Sequence, residues 1–326
     1  MRFVDLDSAP AISVIGLGTW QFGSKEWGYG SDYDEREAAA IVRRALELGV
    51  TLFDTAEIYG FGRSERILGR ALRAAGADPD QLVVASKIFP VLPVAPVVEQ
   101  RAVASADRLG LRRIGLYQVH QPNPLVKDGT TMRGMRALRS VGLVDRVGVS
   151  NYSLERWRAA EAALGEPVLS NQVQYSLAHA GPEDDLVPYA RRERRLVIAY
   201  SPLAQGLLSG RFDERNRPTT GVRSLNPLFL PENLRRAAPL IEVLRQVADA
   251  HDVSCSQVAL AWLVRHGCVA AIPGASGVEQ LERNVAAADL VLGADEVTAL
   301  TGAARSFRPL AGRSVLGPLL RARLGR

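Results

Sequence analysis

Eight short apolar runs alternate with longer stretches of helical spacing along most of this 326-residue chain, and that alternation restricts the fold more than any other feature. The runs are ISVIGLG (12–18), VTLFD (50–54), LVVASK (82–87), RIGLYQVH (113–120), DRVGVS (145–150), VLSNQV (168–173), RLVIAYS (195–201) and CVAAIPG (268–274). Strands that alternate with helices form βαβ units on a parallel sheet. Eight such units, with no compositional shift to mark a linker, predict an α/β fold: a (β/α)8 TIM barrel forming a single domain over residues 1–326. The competing architecture, an open doubly wound sheet, would carry GxGxxG after its first strand. Here the first strand ends GLGTWQFG, which puts Trp20 and Gln21 where a pyrophosphate-binding helix should begin.

The punctuation between runs agrees with this reading. Asp34 with Glu37, and Ser276 with Glu279, have the spacing of two-way helix caps, and Ser153 can cap LERWRAAEAALG. A helical pattern resumes at 234–249, leaving a long loop rich in arginine and proline after strand seven. Long loops on that side of a barrel are often functional.

Composition removes several functions. Cys255 and Cys268 are the only cysteines and His120, His179, His251 and His266 the only histidines, without the spacing of a disulfide framework or a metal site. No metal is therefore expected. The net charge of +5 is concentrated in residues 304–326, which hold six arginines and no acid, so the remainder of the chain stands at −1. Nucleic-acid binding is not expected of such a body. The basic tail, with Val315, Leu316, Leu319 and Leu320, reads as a loosely held C-terminal segment. The N-terminus lacks a signal-peptide pattern, and VLPVAPVV (91–98) is too short to span a bilayer, so a cytoplasmic protein without a membrane partner is expected. The oligomeric state is not legible.

Polar residues fall in register at the strand ends. Asp54, Lys87 and His120 close strands two, three and four at two equal steps of 33 residues, about one βα unit each. Recurrence at one place in each repeat puts them on the C-terminal face, where active sites of this fold are built. Tyr59 follows in the loop after Asp54. A phenol titrates near ~10 and needs a neighbouring cation to serve as a proton donor, which Lys87 can supply. Asp54 can hold the lysine charged, and His120 can orient a substrate oxygen. Glu57, close by, reads as a solvated loop carboxylate. With no nucleophile elbow and no metal pattern, carbonyl reduction by a hydride-donating cofactor fits best.

These residues resemble the aldo-keto reductases, and in particular bacterial members similar to potassium-channel β subunits. FDTAEIYG, VVASKI, YQVHQP, VGVSNYS, SNQVQYS, AYSPLAQGLLSGR and IPGAS run in family order over about residues 12–290. The resemblance implies NADPH-dependent reduction of an aldehyde or ketone, with NADH as the other possible cofactor. Its catalytic tetrad would be Asp54, Tyr59, Lys87 and His120. Ser150, Asn151 and Gln172 would bind the nicotinamide carboxamide, with Tyr200 stacked on the ring. Ser201, Pro202 and Leu203 would follow the pyrophosphate, Thr19 and Trp20 would line the nicotinamide side, and Gly274, Ser276, Gln280 and Asn284 would surround the adenosine. IPGAS before a helix N-terminus is an independent anion-binding signal. Many members carry a Lys after IP and an Arg near position 280, where this chain has Gly274 and Gln280. Arg211 and Arg223, in the loop after strand seven, would take over the 2′-phosphate. Trp20, Trp27, Tyr29 and Phe89 are expected to wall a pocket for a moderately hydrophobic carbonyl. Two other readings are compatible with the resemblance: a redox-sensing regulatory subunit that binds NADPH and turns over little, and a nucleotide-sugar keto- or enoyl-reductase.

Overall fold

The computed structural model describes residues 1–6, 10–24, 30, 34–218, 221–310 and 312. Eight parallel strands run in sequence order around one sheet: β1 (Leu17–Gly18), β2 (Leu52–Asp54), β3 (Val83–Ile88), β4 (Leu116–Val119), β5 (Val147–Ser150), β6 (Ser170–Gln174), β7 (Leu196–Tyr200) and β8 (Val269–Ala271). The sheet closes on itself. Ile15 bridges Ala271 in parallel, and Gly16 N–H and Ala271 N–H donate to Ala271 O and Val14 O at 2.8 and 2.9 Å.

Between the strands lie α1 (Glu35–Glu47), α2 (Arg63–Ala74), α3 (Ala95–Leu109), α4 (Asp128–Ser140), α5 (Leu154–Leu164) and α6 (Leu186–Glu193). After β7 come α7 (Gly221–Leu225), α8 (Pro231–Ala250) and α9 (Cys255–Val264), and after β8 come α10 (Val278–Ala286) and α11 (Ala294–Ser306). Neighbouring helices pack on one another, and α10 on α1 completes the ring. No helix among the described residues is long and apolar enough to cross a membrane.

All eight expected strands are present, but the first apolar run is divided among three partners. Ser13 pairs antiparallel with Phe3, Ile15 with Ala271, and only Leu17–Gly18 pairs with β2. The loop after β7 is broken into short helical turns at Ala204–Ser209, Gly221–Leu225 and Pro227–Phe229. The following helix begins at Pro231, three residues before the periodic pattern, because proline is tolerated in a first turn.

Asp34 accepts from the N–H groups of Arg36 and Glu37, one direction of the two-way cap read from its spacing, and Ser153 accepts from that of Arg156 as its position predicts. Ser276 does not cap α10. Gly277 occupies the cap position with extended backbone, and the Ser276 hydroxyl and N–H both donate to Gln280 Oε1 at 3.0 Å. One helical turn separates these two side chains, so the glutamine takes up the hydroxyl that would otherwise cap.

The strands are buried except at the ends of β1, β6 and β7, where Gly18, Gln174 and Tyr200 reach toward the surface, as a sheet covered on both faces requires. The barrel interior nonetheless carries amides and hydroxyls. Gln118, Gly148 and Ser170 lie side by side across β4, β5 and β6. A Cβ at Gly148 would lie 2.3 Å from Ser170 Oγ and 2.9 Å from Gln118 Cγ, so the missing side chain makes room for its two polar neighbours. Gly148→Ala should overpack this layer and destabilise the barrel by ~1–3 kcal/mol. A urea-denaturation midpoint equal to that of the parent would contradict it.

Candidate active site

The strand register delivers the polar groups to one mouth. Asp54 is the last residue of β2, Lys87 lies two residues beyond Ala85, which pairs with Asp54, and His120 follows β4 directly. Lys87 is fully buried and uses all three ammonium protons. It donates to Asp54 Oδ1 at 2.6 Å, to Thr55 O at 2.8 Å and to the Tyr59 hydroxyl oxygen at 3.4 Å. The second carboxylate oxygen of Asp54 accepts from Gln172 Nε2 at 2.7 Å and Gln118 Nε2 at 3.5 Å. A buried charge is tolerable only when paired and hydrogen-bonded in this way.

The electrostatics follow from burial. Desolvation alone would push the Lys87 ammonium down, but Asp54 and Tyr59 outweigh it, and its pKa lies above the ordinary lysine value. Burial likewise raises the Tyr59 phenol; Lys87 pulls it down, yet not enough to bring it below its ordinary value. The expectation that Lys87 lowers Tyr59 thus holds for the pairwise effect and not for the net. His120 is driven down to about 3 by burial and then by the Lys87 charge, so its ring is neutral at any working pH. Among the described residues its buried Nδ1 has no hydrogen-bond partner. Tyr59 and Phe89 stand edge-on to this ring, with centroids 5.8 and 5.9 Å away.

Tyr59, Asp54, His120 and Phe89 line a cleft of about 1,810 Å³. This exceeds the ~300–1,000 Å³ of an ordinary ligand pocket and leaves room for two molecules. Trp20, 44% exposed, stands at its rim with its ring tilted against Tyr59 at 6.2 Å. Trp27 and Tyr29 lie outside the described residues. A smaller hollow of about 290 Å³ opens among residues preceding β3, β4 and β5, at the opposite end of the barrel, and contains none of these groups.

The expected cofactor residues are brought to the same cleft with two exceptions of role. Ser150, Asn151, Gln172 and Tyr200 form one chain: the Tyr200 hydroxyl donates to Asn151 Oδ1 at 2.9 Å, and the Ser150 hydroxyl to Gln172 O at 2.8 Å. Gln172 donates one amide proton to Asp54, so it supports the ion pair as well as lining the cleft. Thr19 is fully buried and does not line the cleft; its hydroxyl lies against Asp54 O and Ser64 Oγ, both at 2.9 Å, which makes it a brace behind the site. Ser201, Pro202 and Leu203 line the cleft, and the backbone there is unusual. Ser201, Ala204 and Gln205 all have positive φ, between 48° and 56°, a strained state for non-glycine residues that clusters at ligand sites.

Arg211 and Arg223 lie along one wall, Arg223 donating to Gln205 O at 2.9 Å. Burial and then the Arg211 charge push the Arg223 guanidinium down. Two like charges facing one cleft favour an anion between them. Gly274, Ser276, Gln280 and Asn284, which follow β8, also line the cleft, with Asn284 Nδ2 donating to Gly274 O at 3.3 Å. A Cβ on Gly274 would come within 2.5 Å of Gln21 Oε1, whose amide donates to Ala275 O at 2.9 Å. Gln21 thus occupies the space that a lysine at this position would need.

Several residues that shape the site have no strand-end signature. Gln118 is one, and Ser254 and Ser256 on the cleft wall are others. Ser64 Oγ joins Thr19 O at 2.7 Å and Thr55 Oγ1 at 2.9 Å, while the fully buried Glu65 accepts from Ser86 at 2.6 Å and pairs with Arg108. The polar pair in GRSE, at the start of a helix five residues beyond Tyr59, was the available signal. Glu57 is not solvated: its side chain is 9% exposed and its carboxylate pairs with Arg101 and accepts from Phe89 N–H.

Comparison with known proteins agrees with the geometry. A Mycobacterium tuberculosis protein named as an uncharacterized oxidoreductase is 58% identical over 326 residues, 100% of each chain. A Bacillus subtilis aldo-keto reductase is 33% identical over 288 residues, 85% of each. The crystal structure of a Klebsiella pneumoniae aldo/keto reductase in complex with NADP and acetate is similar with a TM-score of 0.74 at 28% identity, over 95% of this chain and 97% of that one. Residues 14–305 match the aldo/keto reductase family as a whole, and with its eight-stranded barrel and the strand-end cluster at its mouth, this chain belongs to that family.

Proposed function

We propose that this protein reduces an aldehyde or ketone to the alcohol with NADPH, with Tyr59 as the proton donor. The observation that carries the reading is the Tyr59 hydroxyl itself. Its oxygen accepts from Lys87, at 3.4 Å, which leaves its own proton to be given to an acceptor in the cleft. A raised pKa keeps that proton on the phenol at neutral pH. His120, neutral down to about 3, cannot serve as an imidazolium acid; it can hydrogen-bond a carbonyl oxygen and fix its direction.

NADPH, when bound, supplies the hydride that attacks the carbonyl carbon. As negative charge grows on the carbonyl oxygen, Tyr59 passes its proton there, and Lys87 stabilises the phenolate that this leaves. Asp54 keeps Lys87 protonated and in place. Asn151, Tyr200 and Gln172 would hold the nicotinamide end, Ser201 to Leu203 the pyrophosphate, and Arg211 with Arg223 the 2′-phosphate. The two mutually repelling guanidiniums on the cleft wall support the choice of the phosphorylated cofactor. Trp20 and Phe89 would present an apolar wall to the substrate.

Tyr59→Phe should lower turnover by about 10²–10⁴-fold while leaving NADPH binding intact, measured by cofactor consumption and by fluorescence titration. Retained reduction across an aldehyde, ketone and keto-sugar panel would remove Tyr59 from the role. A parent that binds NADPH stoichiometrically but reduces nothing on that panel would favour the redox-sensing reading. Arg211→Ala should weaken NADPH by about ten- to a hundredfold, the worth of charged hydrogen bonds, and leave NADH nearly unchanged. Equal efficiency with both cofactors in the parent, unaltered by the substitution, would count against the phosphate assignment. Because His120 stays neutral, kcat should show no histidine limb between about pH 5 and 8. A limb near ~6.5 that disappears in His120→Gln would contradict the neutral role.

A further inference from the structure

Glu57 lies two residues before Tyr59, and its environment is unlike that of a loop carboxylate. Its side chain is 9% exposed and that of its partner Arg101, on α3, 27%. Arg101 Nε donates to Glu57 Oε2 at 2.9 Å, and a second guanidinium nitrogen donates to Oε1, so the pair is bidentate. Both groups also hold the backbone of Phe89, its N–H donating to Glu57 Oε1 and its carbonyl accepting from Arg101 Nη1 at 2.8 Å. Glu57 N–H in turn donates to Lys87 O at 3.4 Å. One carboxylate and one guanidinium therefore tie the loop carrying Tyr59 to the loop carrying Phe89. The tips of those two loops stand on His120, edge-on, at 5.8 and 5.9 Å.

We propose that Glu57 and Arg101 are positioning residues for the reaction: their bidentate pair sets the separation of the Tyr59 and Phe89 walls around His120, and with it the placement of the proton donor. Burying a carboxylate is costly unless its hydrogen-bonding capacity is filled, and here it is filled by the Phe89 N–H of the other loop and by Arg101 of α3, which itself holds the Phe89 carbonyl. A charged, two-pronged link resists sliding in a way that an apolar contact between loops would not. Displacement of a reacting group by about 1 Å is enough to cost about 10²-fold in rate, so a loosened link should act on turnover. Cofactor binding should be spared, because Arg211, Arg223 and the Gly274 wall lie on other loops of the cleft.

This inference rests on the carbonyl-reductase reading, and the test separates the two. Glu57→Ala should lower kcat by about 10- to 100-fold with the NADPH dissociation constant, from fluorescence titration, held within about twofold of the parent. Glu57→Gln keeps an oxygen for Phe89 N–H and loses the charge for Arg101, so its kcat should lie between those of the parent and the alanine variant. Arg101→Gln, at a more exposed position, provides a second approach should the Glu57 variants fold poorly, and should give the same split between kcat and NADPH affinity. Parent-like kcat in folded Glu57→Ala or Arg101→Gln overturns the proposal. So does a loss of kcat accompanied by an equal loss of NADPH affinity, or glutamine and alanine variants that are alike. A parent inactive on every carbonyl would instead overturn the reading on which the proposal stands.

Discussion

Lys87 is fully enclosed by protein, and its pairing with Asp54 at 2.6 Å is the interaction on which the rest of this structure depends. An unpaired ammonium at this depth would be strongly destabilising, so the fold must deliver a carboxylate and further acceptors to the same point. It does so from three directions: Asp54 at the tip of β2, the Thr55 carbonyl just beyond, and the Tyr59 hydroxyl from the following loop. The carboxylate is itself tethered by Gln118 and Gln172 from across the barrel. Under the proposed function, the groups that satisfy this one buried charge are also the ones that would move a proton.

That arrangement sets the protonation states of its neighbours. The same burial that demands a partner for Lys87 keeps the proton on Tyr59, and the Lys87 charge adds to burial in holding His120 neutral. The three groups therefore stand in distinct protonation states at one pH: a protonated phenol, a cationic ammonium and a neutral imidazole ring. Around them the loops are braced by polar contacts in place of regular structure, with Thr19 and Ser64 behind β2, Glu65 and Arg108 behind β3, and Glu57 and Arg101 between the second and third loops.

Much of this was legible in the linear chain because the barrel is a repeat. Equal steps from Asp54 to Lys87 to His120 encode the same end of successive strands, each group two residues further along the register than the last, and strand order follows from the preference for right-handed crossovers between neighbours. What periodicity could not supply is lateral contact. Glu57 read as solvated because nothing nearby in sequence announces Arg101, which is 44 residues away on a different helix. Thr19, assigned to the cofactor, was turned inward by Ser64, and the cap read at Ser276 was lost to Gln280, a turn further along its own helix. In each case a polar side chain had two possible partners, and proximity in three dimensions decided between them.

By itself, then, the sequence determined the number and order of the strands, their alternation with helices, the face on which the strand-end groups gather, and the identity of the four groups brought together there. These depend on period and spacing, which are properties of a line of residues. Only the tertiary structure decided how the charges are balanced, with burial raising Tyr59 against the pull of Lys87, Gln172 turned to Asp54, and Gln21 filling the space over Gly274. Those outcomes turn on distances between residues remote in the chain and on how far water is excluded from them, and neither quantity exists before the barrel closes.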